Sequence, residues 1–399
     1  MTVKGTTQGD PAINPKPLMS QLMIGGWTVK GYISSPDRKH LFIHRFDGFA
    51  VSKDGGEPVE YKWAFNSRDV QWSPDSKRFL AWTSTGDLAC FEVDQLGPGG
   101  TPRFTVLRRP PPGKRPGGCE WGPDGNDAYF IELWDDAQGK VHGSLQRVGV
   151  QNGTATGVAT VLSHTTGIRF YNPPVSRFQH GAGPIAAPYQ IFVGAFDGCF
   201  LVNPDGKALE QLTPGTADGV DNLEWSPDPK KEKILINFFM PTKGAGANDL
   251  KGLYLIHLDR RSQGKKGEQL FEQLHDKFDV HTIWFSPHGK YVTWVTWEGI
   301  YIREVDAAAG TTKKIVIKDS DAKGQLDVRG CSWNEAETKL AIAASNRLFV
   351  YDIAKDQKWT VARCGKEDRT FAAEPVWRGD DVTFSTYTDM VPRKPPVKK

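Results

Sequence analysis

The chain lacks long apolar runs, paired cysteine motifs and an excess of one charge. No segment approaches the roughly 20 apolar residues that a membrane-spanning helix needs. The five cysteines are odd in number and form no C-x-x-C pair, so we expect buried thiols rather than a disulfide framework or a zinc site. Fifty basic and 47 acidic side chains leave a net charge of +3, which is too balanced for a dedicated polyanion binder.

Several sequence signatures of enzymes and of secretion are also missing. The G-x-S-x-G, H-E-x-x-H, Walker and G-x-G-x-x-G motifs do not occur. The first residues show no apolar run behind a basic start, so we expect no secretory signal and a cytoplasmic protein. The nine histidines are dispersed, and the sequence therefore predicts no metal site and no cofactor.

What the chain has in abundance is turn-forming and aromatic residues. It contains 42 glycines, 27 prolines and 13 tryptophans, a composition that favours tight turns and short strands over long helices. Apolar residues with the 3.6-residue spacing of a helix are almost absent. Only the segment from Gly267 to Lys277 is predicted to form a short helix.

One phrase recurs along the chain: an aromatic residue, then Ser-Pro-Asp or a relative of it, then an apolar strand. The clear copies begin at Trp72, Trp121, Trp225 and Phe285, and weaker ones at Ser34, Trp333 and Trp377. The distance from residue 121 to 225 is twice the usual spacing, so we expect a degenerate copy between residues 163 and 212. Repeats of about 40–50 residues are typical of propeller blades.

The repeated phrase also has a physical meaning as a turn that leads into a buried strand. Proline presets the backbone of the turn and aspartate bonds locally, while a strand that is apolar on both faces packs between two neighbours. We therefore predict an all-β protein, a single β-propeller of eight (alternatively seven) four-stranded blades, closed by N- and C-terminal strands sharing one blade. The predicted domains are a flexible arm over 1–17, the propeller over 18–388 and a basic, proline-rich tail over 389–399.

The phrase beginning Gly206-Lys-Ala-Leu-Glu-Gln-Leu-Thr213 and ending in Trp225-Ser-Pro-Asp228 resembles the repeats of TolB-type, WD-repeat-like β-propellers. The resemblance covers roughly residues 28–388, and it implies the fold. That superfamily contains scaffolds, receptors and enzymes, so the resemblance implies no single function.

Polar residues precede the first strand of several copies. They are Asp69, Asp221, His281 and Arg329. Because the first strand of each blade lines the central channel of a propeller, we expect these four side chains at the channel mouth. Two interpretations stay open, a solvated wall with ion pairs between blades and a site for a ligand or partner.

Loops of unequal length and charge form a second candidate surface. The predicted partner-binding face consists of Trp134, Trp297, Glu298, Arg108, Arg109 and Arg115. Exposed aromatic residues beside arginines are typical anchors of protein interfaces, although packing between blades would also account for the two tryptophans.

The absence of catalytic motifs favours a non-catalytic scaffold, in which the propeller binds protein partners within a larger assembly and is not an enzyme. The alternative is a small-ligand binder or enzyme that uses the polar funnel at the channel mouth. A second alternative is an RNA-associated propeller. Nucleic acid is not favoured, because the basic loops lack interleaved aromatic residues for base stacking.

Overall fold

The computed structural model describes most of the chain. The described residues are 14–23, 32–45, 48–54, 56–63, 70–164, 175–176, 189–195, 198–207, 209–213, 220–228, 232–238, 250–277, 279–307, 311–315, 328–364 and 370–389. They form 31 strands and three 3-10 helices (Val93–Gln95, Leu258–Gln263 and Gly267–Leu270), and contain no α-helix. Within these residues, no helix has the length and apolar character needed to cross a membrane.

The chain divides into two compact units. The larger unit consists of Ile33–Thr296 and Ile302–Thr312, and the smaller unit consists of Met1–Tyr32, Trp297–Tyr301 and Lys313–Lys399.

Seven sheets have four strands each, and within each sheet the strands follow one another in chain order. The first sheet is β2 Tyr32–Ser34, β3 His40–Arg45, β4 Gly48–Lys53, β5 Val59–Lys62; the second β6 Gln71–Trp72, β7 Arg78–Trp82, β8 Leu88–Glu92, β9 Thr105–Arg108; the third β10 Arg115–Trp121, β11 Asp127–Asp135, β12 Val141–Gln151, β13 Thr154–His164; the fourth β14 Val175–Ser176, β15 Ile191–Ala195, β16 Gly198–Val202, β17 Leu209–Gln211.

The remaining four-stranded sheets continue the same pattern. The fifth is β18 Val220–Trp225, β19 Lys233–Phe238, β20 Gly252–His257, β21 Phe271–His275; the sixth β22 Thr282–Phe285, β23 Tyr291–Thr296, β24 Gly299–Glu304, β25 Lys313–Ile315; the seventh β26 Val328–Trp333, β27 Lys339–Ala344, β28 Arg347–Asp352, β29 Gln357–Arg363.

An eighth sheet joins the two ends of the chain and has only three strands. Its order is β1 (Asn14–Met23), β31 (Asp381–Asp389) and β30 (Thr370–Arg378). Strand β1 runs parallel to β31, with Asn14 opposite Asp381. The structure therefore does not support the prediction of eight four-stranded blades. The alternative prediction of seven blades agrees with the seven four-stranded sheets. The last sequence copy supplies two strands only, and the N-terminal segment adds one.

The Ser-Pro-Asp phrase forms the turn that the sequence predicts. In the second sheet, the Ser73 hydroxyl donates to Asp75 Oδ1 over 2.5 Å and accepts the backbone N–H of Arg78 over 2.9 Å. The Lys77 N–H also donates to Asp75 Oδ1, over 3.1 Å. The Ser35-Pro-Asp37 copy repeats this arrangement. A side chain thus replaces the backbone partners that a tight turn cannot provide.

The strands after these turns are buried on both faces, because successive side chains point to opposite sides of a sheet. Phe79 of β7 packs into an aromatic cluster with Phe49 of the first sheet, at 5.8 Å between ring centres. The next residue, Leu80, belongs to a different cluster with Phe130 of the third sheet. Packing on both sides explains why these strands are continuously apolar rather than alternating.

In three sheets the tryptophan of the phrase links the sheet to the one before it. Indole N–H groups of Trp72, Trp121 and Trp377 donate to the carbonyl oxygens of Ile33, Gln71 and Ser332 over 3.0, 3.1 and 2.8 Å respectively. In each case the acceptor lies in the first strand of the preceding sheet. A buried indole N–H requires a partner, and the neighbouring strand provides it.

One local prediction is wrong, and another falls partly outside the described residues. The helix predicted from Gly267 to Lys277 is a short 3-10 turn followed by strand β21, in which Phe271 pairs with Ile256 of β20. Pairing with a neighbouring strand overrides the weak local preference for a helix. The degenerate copy is present as the fourth sheet, but its predicted first strand over residues 167–171 lies outside the described residues.

We expect Ser73→Ala to lower the free energy of unfolding by about 1–2 kcal/mol, because it leaves the Arg78 N–H and the Asp75 carboxylate without their common partner. Ser84→Ala, at an exposed turn position, is the control and should change stability little. Urea unfolding of both variants measures the difference. Equal stabilities would show that the hydroxyl does not hold the turn.

Candidate functional site

Three strands of the second and third sheets end at a common edge. Strands β7 and β9 both run antiparallel to β8, so both finish at the same side of their sheet. In the third sheet, Leu133 near the end of β11 pairs with Arg115 at the start of β10, the strand that follows β9 in the chain. The turns after β7 and β11 and the connection from β9 to β10 therefore meet here, and we call this the loop edge.

A fully buried carboxylate lies at the loop edge. Glu132 in β11 has no exposed side-chain surface, yet both its oxygens bind cations. Arg108 approaches Oε1 at 2.8 Å from both Nε and Nη2, and Lys114 Nζ lies 3.0 Å from Oε2. Arg108 comes from the second sheet, so the pair also joins the two sheets. A buried charge is tolerated only with such partners.

Trp134, two residues further along β11, lies on the same face of the strand as Glu132. The Lys114 ammonium lies 4.8 Å from the centre of the indole, and His142 stacks on the ring at 5.7 Å. His142 stands directly opposite Trp134 on β12. Its Nε2 is 2.8 Å from Asp136 Oδ2, and the hydrogen bond lowers the pKa of the Asp136 carboxyl.

Two further arginines at the loop edge bind carboxylates. Arg109 faces Asp87 with both Nε and Nη2, at 3.2 and 3.3 Å. Arg115 faces Asp135 at 2.7 and 3.3 Å. The loop-edge cluster thus consists of Asp87, Arg108, Arg109, Lys114, Arg115, Glu132, Trp134, Asp135, Asp136 and His142.

Three cations of the cluster, Arg108, Arg109 and Lys114, lie outside the carboxylates that they bind. The Arg109 side chain is 77% exposed against 11% for Asp87. Arg108 and Lys114 are 24% and 30% exposed, whereas Glu132 is wholly buried. The Arg115–Asp135 pair is evenly exposed, and Asp136 is more exposed than its partner His142. Although basic and acidic groups are equal in number, a molecule approaching from solvent meets mainly guanidinium and ammonium groups.

A second titratable group of interest is Glu224, directly before Trp225 in β18. Its Oε2 accepts the backbone N–H of Phe285 in β22 over 2.9 Å. Glu224 as a residue is half-buried, but its carboxyl group is surrounded by protein. This burial raises the pKa of the Glu224 carboxyl to about 8. Phe285 lacks the indole N–H that joins other sheets, and the Glu224 carboxyl makes the link instead. A carboxyl group that stays protonated near neutral pH can also donate a proton.

The structure brings together four of the six residues predicted for the partner-binding face. Arg108, Arg109, Arg115 and Trp134 all belong to the loop-edge cluster of the larger unit. Trp297 and Glu298 lie in the smaller unit, where Trp297 is 48% exposed and Glu298 binds Lys314 over 2.9 Å. What binds to these residues is untested.

The four residues predicted at a channel mouth are described only in part. Asp221 and Arg329 lie in β18 and β26, the first strands of their sheets. His281 is exposed and lies just before β22, where its N–H donates to Val295 O over 2.9 Å. Asp69 lies outside the described residues. A common site of these four residues stays a prediction.

Sequence reasoning missed Glu132, Lys114 and His142. A signal for Glu132 was present, since it is the only charged residue within the apolar run from Ala128 to Leu133. A carboxylate in a strand buried on both faces must have cationic partners. Nothing in the sequence indicated that Arg108 and Lys114 are those partners. Among the residues that the structure describes, no three His, Cys, Asp or Glu side chains lie together as ligands for a metal ion.

No protein-family model matches the chain, and no curated protein does. Among solved structures, the oligogalacturonate lyase of Vibrio parahaemolyticus is similar, with 12% identity and a TM-score of 0.51 over 82% of this chain and 86% of that one. An oligogalacturonate lyase in complex with manganese has 13% identity and a TM-score of 0.53, over 85% and 90% of the two chains. The dihydro-heme d1 dehydrogenase NirN, in complex with DHE, has 12% identity and a TM-score of 0.53, over 84% and 66%.

At these identities the likeness establishes the fold, which is a β-propeller. The neighbours nevertheless contradict two expectations from the sequence, the non-catalytic scaffold and the absence of enzyme activity, because all three are enzymes. They favour the alternative, a small-ligand binder or enzyme. The absence of familiar motifs was a weak argument, since chemistry on a propeller can come from residues scattered over several strand ends.

We expect Glu132→Gln to lower the free energy of unfolding by about 3 kcal/mol, because Arg108 and Lys114 lose their buried counter-charge. Asp135→Asn removes an equally close but exposed partner of Arg115, and should change stability by less than about 1 kcal/mol. Chemical denaturation at neutral pH compares the two. Similar losses for both variants would mean that burial does not distinguish these pairs.

Glu224 generates a prediction about pH. Its folded-state pKa of about 8 lies above the ordinary value of 4.5, so the folded state holds the proton more tightly. This contribution to stability is complete below about pH 4.5 and is lost as the pH rises to about 8. Glu224→Gln should remove that decline, whereas Glu57→Gln, an exposed control, should keep it. Thermal unfolding between pH 5 and about pH 9 measures both, and parallel curves for the wild type and Glu224→Gln would contradict the assignment.

Proposed function

We propose that the chain is a ligand-binding β-propeller enzyme whose substrate is an anionic small molecule, and that the loop-edge cluster holds this substrate. The observation that carries the proposal is the outward position of Arg108, Arg109 and Lys114 over the buried carboxylates of Glu132 and Asp87, with the exposed guanidinium of Arg115 in the same cluster. Guanidinium groups bind carboxylate and phosphate through paired hydrogen bonds, so Arg109 and Arg115 provide geometric as well as electrostatic recognition. The name of the two similar lyases, which act on an oligomer of an acidic sugar, supports this class of substrate.

The cluster also offers a group for proton transfer. When Nε2 of His142 donates to Asp136, Nδ1 is the ring nitrogen that can accept a proton. The Asp136 carboxylate stabilises the imidazolium that results. A base beside cations that neutralise a substrate carboxylate suits abstraction of a proton from the carbon next to that carboxylate. The electron pair of the broken C–H bond forms a C=C bond as the glycosidic C–O bond on the adjacent carbon breaks, and the leaving oxygen takes a proton from solvent, so that the product is unsaturated.

Two finer points belong to the same proposal. The five cysteines are unpaired, and four of them are buried, which supports a reducing compartment such as the cytoplasm. The Ser-Pro-Asp turns support a place among TolB-type propellers. Protein or RNA partners stay untested predictions.

Titration calorimetry with an oligogalacturonate tests the binding step. Replacing both Arg109 and Arg115 by Gln should weaken binding about ten-fold or more, because two exposed charge-assisted contacts are lost. Stability should change little, since both ion pairs are exposed on at least one side. Arg103→Gln, which changes an exposed arginine of the β8–β9 connection, is the matched control.

Turnover is measured on the same samples. The wild type should release an unsaturated product that absorbs ultraviolet light, and His142→Asn should bind the oligomer but release none. Binding that survives the double arginine change but is lost in the Arg103 control would place the site elsewhere. No binding of any acidic oligomer by the wild type would overturn the proposal.

A further inference from the structure

A pocket lies between the second and third sheets, at the opposite ends of their strands from the loop edge. Its volume is about 430 Å³, within the ~300–1,000 Å³ range of small-molecule sites. Arg78 begins β7 and Glu92 ends β8, whereas the loop edge lies where β7 ends. Asn126 and Asn152, which precede β11 and follow β12, line the other wall. The pocket is therefore separate from the loop-edge cluster.

Two residues of opposite charge extend from the same face of the second sheet. Arg78 stands directly opposite Glu92 on neighbouring strands. The next pair inward, Phe79 and Phe91, belongs to the aromatic cluster shared with the first sheet. Because successive side chains of a strand alternate between faces, Arg78 and Glu92 both face the third sheet.

Contacts with the third sheet agree with this direction for both side chains. Arg78 Nη2 donates to Gly125 O over 2.9 Å, and the guanidinium carbon lies 4.7 Å from the centre of the Trp121 ring. Glu92 reaches the turn between β12 and β13, where its Oε1 lies so close to Gly153 that a Cβ would not fit. The two charged groups therefore converge on one cavity.

The two opposite charges do not neutralise each other, since no ion pair joins Arg78 to Glu92 within the described part of the chain. The side-chain hydrogen bonds of Arg78, to Gly125 O and at 3.5 Å to Asp75 Oδ2, use Nη2 alone. Its Nε and Nη1 donors stay available to a ligand. Glu92 Oε2 accepts from the Gln95 amide, and a carboxylate has about four lone-pair sites, so Glu92 can accept further hydrogen bonds.

We propose that this pocket binds an α-amino acid as its zwitterion, with the carboxylate on Arg78 and the ammonium on Glu92. A guanidinium binds a carboxylate through paired hydrogen bonds, and a carboxylate accepts strong hydrogen bonds from an ammonium group. A simple anion or cation would leave one of the two protein charges without a partner, whereas an α-amino acid carries both groups on one carbon. The inference does not depend on the function proposed for the loop-edge cluster.

Calorimetric titration of the full chain with each standard amino acid tests the proposal. Every amino acid that binds is titrated again as its amide, which lacks the carboxylate, and as its N-acetyl form, which lacks the ammonium. At least one amino acid should bind, and both of its blocked forms should bind about ten-fold more weakly or worse, because each loses one charge-assisted contact. No binding of any amino acid, or a blocked form that binds as tightly as the amino acid, would overturn the proposal.

Variants then locate the site. Glu92→Gln should weaken the amino acid to the affinity of its N-acetyl form and leave that form unchanged, because only the ammonium contact is lost. Arg78→Lys keeps the charge but not the paired donors, so it should weaken the amino acid and the N-acetyl form alike. Glu57→Gln, in the exposed connection between β4 and β5, is the matched control and should bind as the wild type does. Unchanged binding in both pocket variants would contradict the assignment, and thermal unfolding of each variant excludes a folding defect.

Discussion

Burial of each sheet on both faces is the constraint on which the rest of this structure depends. A strand such as β7 sends Phe79 into one aromatic cluster and Leu80 into another, so neither face is left for polar groups. Polar and charged side chains are therefore concentrated at strand ends and in outermost strands. The loop-edge cluster lies in such a place, at the strand ends of the second and third sheets.

Glu132 is an exception to that constraint, and the exception organises the loop-edge cluster. Its carboxylate lies inside a strand that is otherwise apolar, and it attracts Arg108 from one sheet and Lys114 from the connection to the next. Because the acid is inside, its partners must come from outside. The buried charge thus fixes the position of two cations at the surface, one of which, Lys114, lies over Trp134. We regard this as the reason that a chain with a net charge of only +3 presents a locally basic surface.

The sequence predicted the repeat better than the site. The Ser-Pro-Asp turns and the apolar strands follow from local chemistry, in which Ser73, Asp75 and Arg78 interact within five residues of one another. The pairing of the two chain ends was predicted from the last sequence copy, which supplies only two strands. The blade number was less secure, because the last copy contributes two strands and not four. Contacts such as Arg108 with Glu132 join residues of different sheets, and no local pattern specifies them. Arg109 and Trp134 were predicted as exposed anchors of a protein interface, and Trp134 is half-buried in the structure. Their assignment to a non-catalytic scaffold rested on the absence of motifs, and the enzymatic neighbours contradict that assignment.

The central claim is that an acidic substrate lies against the outward cations of the loop-edge cluster. A crystal structure of the full chain grown with an oligogalacturonate tests it most directly. The account predicts electron density for a sugar carboxylate within hydrogen-bond distance of Arg109 or Arg115, with His142 facing the bound sugar. A ligand that binds tightly in solution but lies in the crystal away from Arg109, Arg115 and His142 would contradict it.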